Sequence, residues 1–243
     1  MKERKRIGVL TPSSNTALEP LTCAMLRDLP EVTAHFSRFS VTEISLSSSA
    51  LQQFNEEKIL AAAALLADAK VDVICWSGTS AGWLGFDSDR RLVERISTAT
   101  GIPATTAVLA LNEILALNGV KKLGLVTPYT ADVQNKIARN YQEIGIECCE
   151  AEPLGIRVNF DFAEVEPETL ASSIRQAAAR QPDAVATYCT NLRAAQLAQD
   201  IESQTRIPLY DTVATTVWKA LALVGVETQR VRGWGKMFLT ESR

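Results

Sequence analysis

Ile7-Gly8-Val9-Leu10-Thr11-Pro12 returns in the second half of the chain as Leu123-Gly124-Leu125-Val126-Thr127-Pro128. Two further stretches return in the same order. Asp72-Val73-Ile74-Cys75-Trp76-Ser77-Gly78-Thr79-Ser80 is matched by Asp183-Ala184-Val185-Ala186-Thr187-Tyr188-Cys189-Thr190-Asn191. Gly101-Ile102-Pro103-Ala104-Thr105-Thr106 is matched by Arg206-Ile207-Pro208-Leu209-Tyr210-Asp211, and each opens an Ala/Leu-rich helix. Any α/β chain yields short similar strands, so each match alone is weak. Order and spacing together read as a duplication. The halves are residues 1–119, with a Gly78 loop, and 120–243, with a Cys189 loop. The Ala/Leu-rich helices at Thr105 to Leu117 and Thr212 to Leu223 are expected to pack on the opposite half or between subunits, so a homo-oligomer is open.

Around the repeat, strands and helices alternate. Apolar, β-branched runs begin at Ile7, Val32, Val71, Leu123 and Ala184. Helical stretches follow at Leu18–Leu29, Glu56–Ala69, Asp89–Thr100, Ala131–Ile144, Glu168–Ala179 and Leu192–Gln204, with Pro167 a good first helical position. This rhythm implies an α/β fold: two similar doubly wound parallel-sheet halves, related by a pseudo-two-fold, with the site between them.

Composition narrows the function classes. The net charge of −3 argues against a nucleic-acid binder with a broad basic surface. No apolar run is long enough to span a bilayer. The charged opening Met1-Lys2-Glu3-Arg4-Lys5-Arg6 lacks the apolar stretch of a signal peptide, and the expectation is a cytoplasmic protein. Five cysteines, an odd number, argue against a disulfide framework. His35 is the single histidine and lies in a strand-like stretch, and no metal-ligand spacing is evident.

In doubly wound sheets ligands bind just beyond the carboxyl ends of strands. The repeat puts polar loops there: Thr11 to Thr16, Ser77 to Ser80, Thr127 to Thr130 and Cys189 to Asn191. Hydroxyls, amides and helix N-terminal N–H groups suit an anion, most simply a carboxylate. Gly-rich phosphate motifs are lacking, so no nucleotide is expected. The repeat aligns Gly78 with Cys189. Cys189 precedes a helix, whose N-terminus would favour the thiolate and make it a proton donor, base or nucleophile. The alternative is a buried inert cysteine. Cys23 in a helix, Cys75 inside a strand, and Cys148 and Cys149 in or beside a half-exposed strand read as structural. Trp83 and Phe86 read as core or lid residues. The segment Thr228 to Arg243, with Arg230, Arg232 and Lys236, reads as a solvated tail.

Leu10-Thr11-Pro12-Ser13-Ser14-Asn15-Thr16, Gly78-Thr79-Ser80, Val126-Thr127-Pro128-Tyr129-Thr130, Asn159 and Cys189-Thr190-Asn191 resemble the aspartate/glutamate racemase superfamily. The similar branch is the one containing maleate cis–trans isomerase and arylmalonate decarboxylase, over essentially the whole chain. Members of that superfamily generally carry one thiol in each half. Here the first position is Gly78, the decarboxylase pattern, while Cys189 keeps the second. The resemblance implies that CO2 loss forms an enediolate which Cys189 protonates from one face. It implies that Thr79, Ser80, Tyr129 and the Thr190 N–H hold the surviving carboxylate, without metal or organic cofactor. Asn15 and Asn159 match the isomerase side and imply a smaller, more polar acid than an aryl malonate.

Three readings follow. The first is a malonate-type decarboxylase using Cys189. The second is an isomerase or racemase of a small acid, whose missing first thiol needs another base. Asp87 and Asp89 lie nearby, but a solvated helix start explains them. The third is a non-catalytic carboxylate-binding protein.

Overall fold

The structure is a computed structural model, and it describes residues 4–242. Met1 to Glu3 of the charged opening segment and Arg243 of the tail lie outside the described residues. Two four-stranded parallel sheets form the frame. The first contains β1 (Lys5–Pro12), β2 (Val32–Phe39), β3 (Val73–Trp76) and β4 (Ala104–Thr106), in the order β2-β1-β3-β4. The second contains β5 (Lys122–Val126), β6 (Glu147–Glu150), β7 (Ala184–Thr187) and β8 (Leu209–Asp211), in the order β6-β5-β7-β8. The two orders are the same, as the duplicated sequence requires. The helices of the first half are α1 (Leu18–Met25), α2 (Ser48–Leu51), α3 (Glu56–Asp68), α4 (Ala81–Leu84), α5 (Phe86–Thr100) and α6 (Ala107–Leu117). Those of the second are α7 (Ala131–Glu143), α8 (Pro167–Ala178), α9 (Ala198–Thr205) and α10 (Thr212–Leu223).

Local chemistry explains why the repeat folds twice alike. β3 and β7 are buried at every residue, as central strands covered on both faces must be. Gly8 and Gly124 allow close packing: an added Cβ would stand 2.9 Å from Val71 Cγ2 in one sheet and 2.9 Å from Val185 Cγ2 in the other. Asp72 accepts a hydrogen bond from the Arg6 N–H at 2.6 Å, and Asp183 accepts from the Lys121 and Lys122 N–H groups at 2.8 Å. Each carboxylate thus ties its strand to the start of the neighbouring one. Thr106 caps α6 by accepting from the Leu109 N–H, and its repeat partner Asp211 caps α10 through Val213 and Ala214.

Helix α10 carries the second half onto the first. It packs on α1, β3 and α6. Thr215 Oγ1 donates to the Ala107 carbonyl, and Lys219 pairs with Glu113 at 2.6 Å. A second bridge runs between loops. The Ile44 N–H donates to the Arg157 carbonyl, and Glu43 and Val158 form an antiparallel bridge.

Three expectations need correction. The helix expected over Leu192–Gln204 begins only at Ala198. Residues 192–194 are bend and turn, and a 3₁₀ turn over Ala195–Leu197 precedes it. The tail is not a free solvated segment, although Arg232 and Lys236 are exposed. Met237 and Phe238 are buried, Thr228 Oγ1 donates to the Phe238 carbonyl, and the Trp218 indole donates to the Thr240 carbonyl. Arg230 is bound to Glu31 at 2.6 Å. Asp89 is not at a solvated helix start either: it is buried in the first turn of α5, where Thr106 Oγ1 donates to it. Asp87 is exposed and paired with Arg90. Among the described residues no helix is long and apolar enough to cross a membrane.

Candidate active site

Tyr129 follows β5, Gly78 and Thr79 follow β3, and Cys189 follows β7, so three strand ends deliver them to one place. Thr79 Oγ1 and the Tyr129 hydroxyl are 2.7 Å apart. The Tyr129 hydroxyl also interacts with the Cys189 thiol. Either hydroxyl can be the donor in the Thr79–Tyr129 bond. The three side chains form a contiguous polar set that links the two halves: Thr79, Tyr129, Cys189.

A second set of hydrogen bonds joins the residues that follow the thiol to the first loop. Thr190 Oγ1 donates to the Ser77 carbonyl at 3.1 Å and accepts from Asn15 Nδ2 at 3.3 Å. Asn15 Oδ1 accepts from the N–H groups of Ala17 and Leu18, fixing the start of α1. Asn191 Oδ1 accepts from the N–H groups of Thr16 and Ala17 at 2.9 and 3.1 Å, and its Nδ2 donates to the Asn159 carbonyl. Asn159 Nδ2 donates to Ser14 Oγ at 2.8 Å. Ser80 sits at the N-cap of α4 and is buried. The structure therefore brings together Cys189, Tyr129, Thr79, Thr190 and Asn15. It ties Asn159 to them through Asn191 and Ser14, two residues that sequence reasoning did not single out. Both could have been found, because Asn191 ends the Cys189-Thr190-Asn191 motif and Ser14 lies in the Leu10–Thr16 motif.

The electrostatics differ from the sequence expectation. Cys189 is 3% exposed, and burial pushes its thiol up to about 12. The Tyr129 hydroxyl and the N–H groups of Asn191 and Leu192 oppose that rise, the Asn191 nitrogen lying 3.4 Å from the sulfur. No helix begins at Cys189, so no helix dipole favours a thiolate, and desolvation wins. At neutral pH the group is a protonated thiol. Nearby, buried Asp211 accepts from Thr187 Oγ1 at 2.7 Å, and burial pushes its carboxyl up to about 6.

The remaining candidates stay structural. Cys75 is fully buried within β3, and burial pushes it up to about 12. Cys23 is exposed on α1; Cys148 is partly buried and Cys149 buried on β6. His35 pairs with Thr33 on β2. Trp83 packs edge-on against Tyr129 with ring centroids 5.4 Å apart, and Phe86 packs likewise on Tyr141.

A buried thiol, a tyrosine and threonines meet at the strand ends of two like sheets, and the class is an α/β enzyme. The arylmalonate decarboxylase family model matches residues 8–238, and the chain belongs to that family. The chain is 26% identical over 239 residues to a maleate isomerase of Geobacillus stearothermophilus, covering 94% of this chain and 95% of that one. It is 24% identical over 235 residues to the arylmalonate decarboxylase of Bordetella bronchiseptica, covering 96% and 95%. Its fold matches the crystal structure of the maleate isomerase of Pseudomonas putida S16 with a TM-score of 0.89 at 25% identity, over 97% and 98% of the two chains.

Proposed function

We propose that this protein decarboxylates a small malonate-type acid through an enediolate that Cys189 protonates. The observation that carries the reading is the state of that thiol. It is buried and neutral, with Tyr129 beside it, and its partner position in the repeat is a glycine. A neutral thiol is suited to give a proton, whereas attack on a double bond needs a thiolate.

In this scheme Thr79, Ser80, Tyr129 and the Thr190 N–H bind the carboxylate that remains. The bond from the α-carbon to the other carboxylate breaks, CO2 leaves, and the electron pair passes into the remaining carboxylate as an enediolate. Donors aimed at this developing charge supply a large share of the rate. The Cys189 proton then moves to the α-carbon, and the thiolate left behind recovers a proton from solvent. The scheme calls on no cofactor.

Turnover of candidate malonates in D2O tests the proposal. The expected product carries one deuterium at the α-carbon in a single configuration. Cys189→Ala is expected to lose about 10²–10⁴-fold in kcat, the usual share of a positioned acid. Full activity in that variant overturns the reading.

A second reading, isomerisation of a small unsaturated diacid, is favoured by one observation: the first loop is polar and is stitched by Asn191 and Asn159 into the site. Conversion of maleate to fumarate would decide for it. The rate at which Cys189 is alkylated does not separate catalysis from mere binding, because a buried acid thiol is slow in either case.

A further inference from the structure

Trp76 ends β3 two residues before Gly78, so both residues face the same side of the chain. A Cβ built on Gly78 would meet the Trp76 ring at Cζ2 (2.0 Å), Cη2 (2.4 Å) and Cε2 (2.5 Å). The indole thus occupies the space a side chain at position 78 would need. It extends from there to Phe39, whose ring centroid is 5.0 Å away. Trp76 is 1% exposed, and its Nε1–H, bonded to the Cε2 that crowds Gly78, has no hydrogen-bond partner. A buried donor without a partner is uncommon and asks for an acceptor.

Gly78 lies in the wall of the site. Its neighbour Ser77 receives the Thr190 hydroxyl, and its neighbour Thr79 bonds Tyr129, so both flanks reach residues beside Cys189. We infer that Trp76 is a specificity-determining residue: its indole takes the place of the first-half acid/base group, and its Nε1–H binds an acceptor oxygen on the substrate's α-substituent. This rests on the decarboxylase reading for the position of the α-carbon. The acceptor belongs to the substituent and not to the departing carboxylate. A donor on the departing group would hold the charge that the reaction must release, and so would oppose it. The favoured class is therefore small acids bearing an ether or hydroxyl oxygen on the α-carbon or the atom next to it. Alkyl acids of the same shape leave the Nε1–H unpaired and bind less well.

Methoxyacetate and butyrate are matched in size and differ by one ether oxygen; they mimic the products of methoxymalonate and ethylmalonate. Calorimetric titration of the wild-type protein is expected to show methoxyacetate binding about tenfold more tightly, the effect of one buried donor left unpaired. Trp76→Phe keeps a ring but lacks the donor, and is expected to abolish that preference. Should this variant fold poorly, proton NMR of the wild-type protein gives the same answer. One indole N–H resonance should move on adding methoxyacetate and stay on adding butyrate. Equal affinities, no binding of either acid, or unmoved indole resonances overturn the inference. Decarboxylation of methoxymalonate is assayed separately. If the binding preference holds and no CO2 is released, the decarboxylase reading fails while the role of Trp76 stands.

Discussion

Trp76 and Gly78 exclude one another: the tryptophan ring stands 2.0 Å from where a Cβ on residue 78 would lie. The atoms in the way belong to a rigid, buried indole held against Phe39, so the ring cannot yield by a small rotation.

Gly78→Cys alone should therefore not give a two-thiol site. Overpacking of a filled core costs about 1–3 kcal/mol, and a fall in melting temperature is the expected outcome. Trp76→Ala removes a buried ring and is itself costly, so the relief should appear as a coupling: Gly78→Cys costs much less when added to Trp76→Ala than when added to the parent. Thermal melts of the parent, the two single variants and the double variant check this; a Gly78→Cys protein as stable as the parent would show that the indole moves freely.

The thiol state of Cys189 predicts its chemistry with pH. The neutral form is the acid, and burial keeps it neutral up to about pH 12. Alkylation of Cys189 should be slow at pH 7 and rise about tenfold per pH unit to pH 10 without a plateau, because only the thiolate reacts. Mass spectrometry of quenched samples measures it, and a plateau near pH 8 would contradict a raised thiol.

Asp89 predicts a pH-dependent stability. Its carboxyl is pushed up to about 7 by burial, against the ordinary value of 3.8. Between those values the folded chain holds a proton that the unfolded chain has lost, so stability falls as pH rises from about 4 to about 7. The full penalty above pH 7 is on the order of 4 kcal/mol for a shift of this size. Asp89→Asn removes the charge and should melt higher than the parent at pH 8, with the difference vanishing near pH 4. Denaturant melts across that range test the sign.

Asn191→Ala should loosen the first loop without touching the thiol. It strips the acceptor from the Thr16 and Ala17 N–H groups and the donor from the Asn159 carbonyl. Leaving such groups unpaired costs roughly 1–3 kcal/mol. The expected signature is a raised KM for the acid with a smaller fall in kcat. A change confined to kcat would argue that Asn191 acts on the reaction itself.

The architecture was legible because a duplicated chain repeats its instructions. Gly8 and Gly124 mark the close strand packing, Asp72 and Asp183 tie the strand starts, and Thr106 and Asp211 cap equivalent helices. Each is a local requirement that one residue type meets. The position of Cys189 at a strand end was readable for the same reason. What local signals could not supply was the environment. Whether the thiol ionises depends on how much water the other half excludes, and a helix that starts at Ala198 and not Leu192 removes the dipole that sequence suggested. The tail folded onto the core because Met237 and Phe238 found an apolar surface made by distant residues. The filling of the Gly78 position depends on the rotamer of Trp76, which packing against Phe39 across the sheet selects. Sequence by itself determined the two like sheets and the residues at their carboxyl ends; only the tertiary structure decided that the thiol is neutral and that an indole fills the space beside Gly78, because burial and packing are properties of the whole fold.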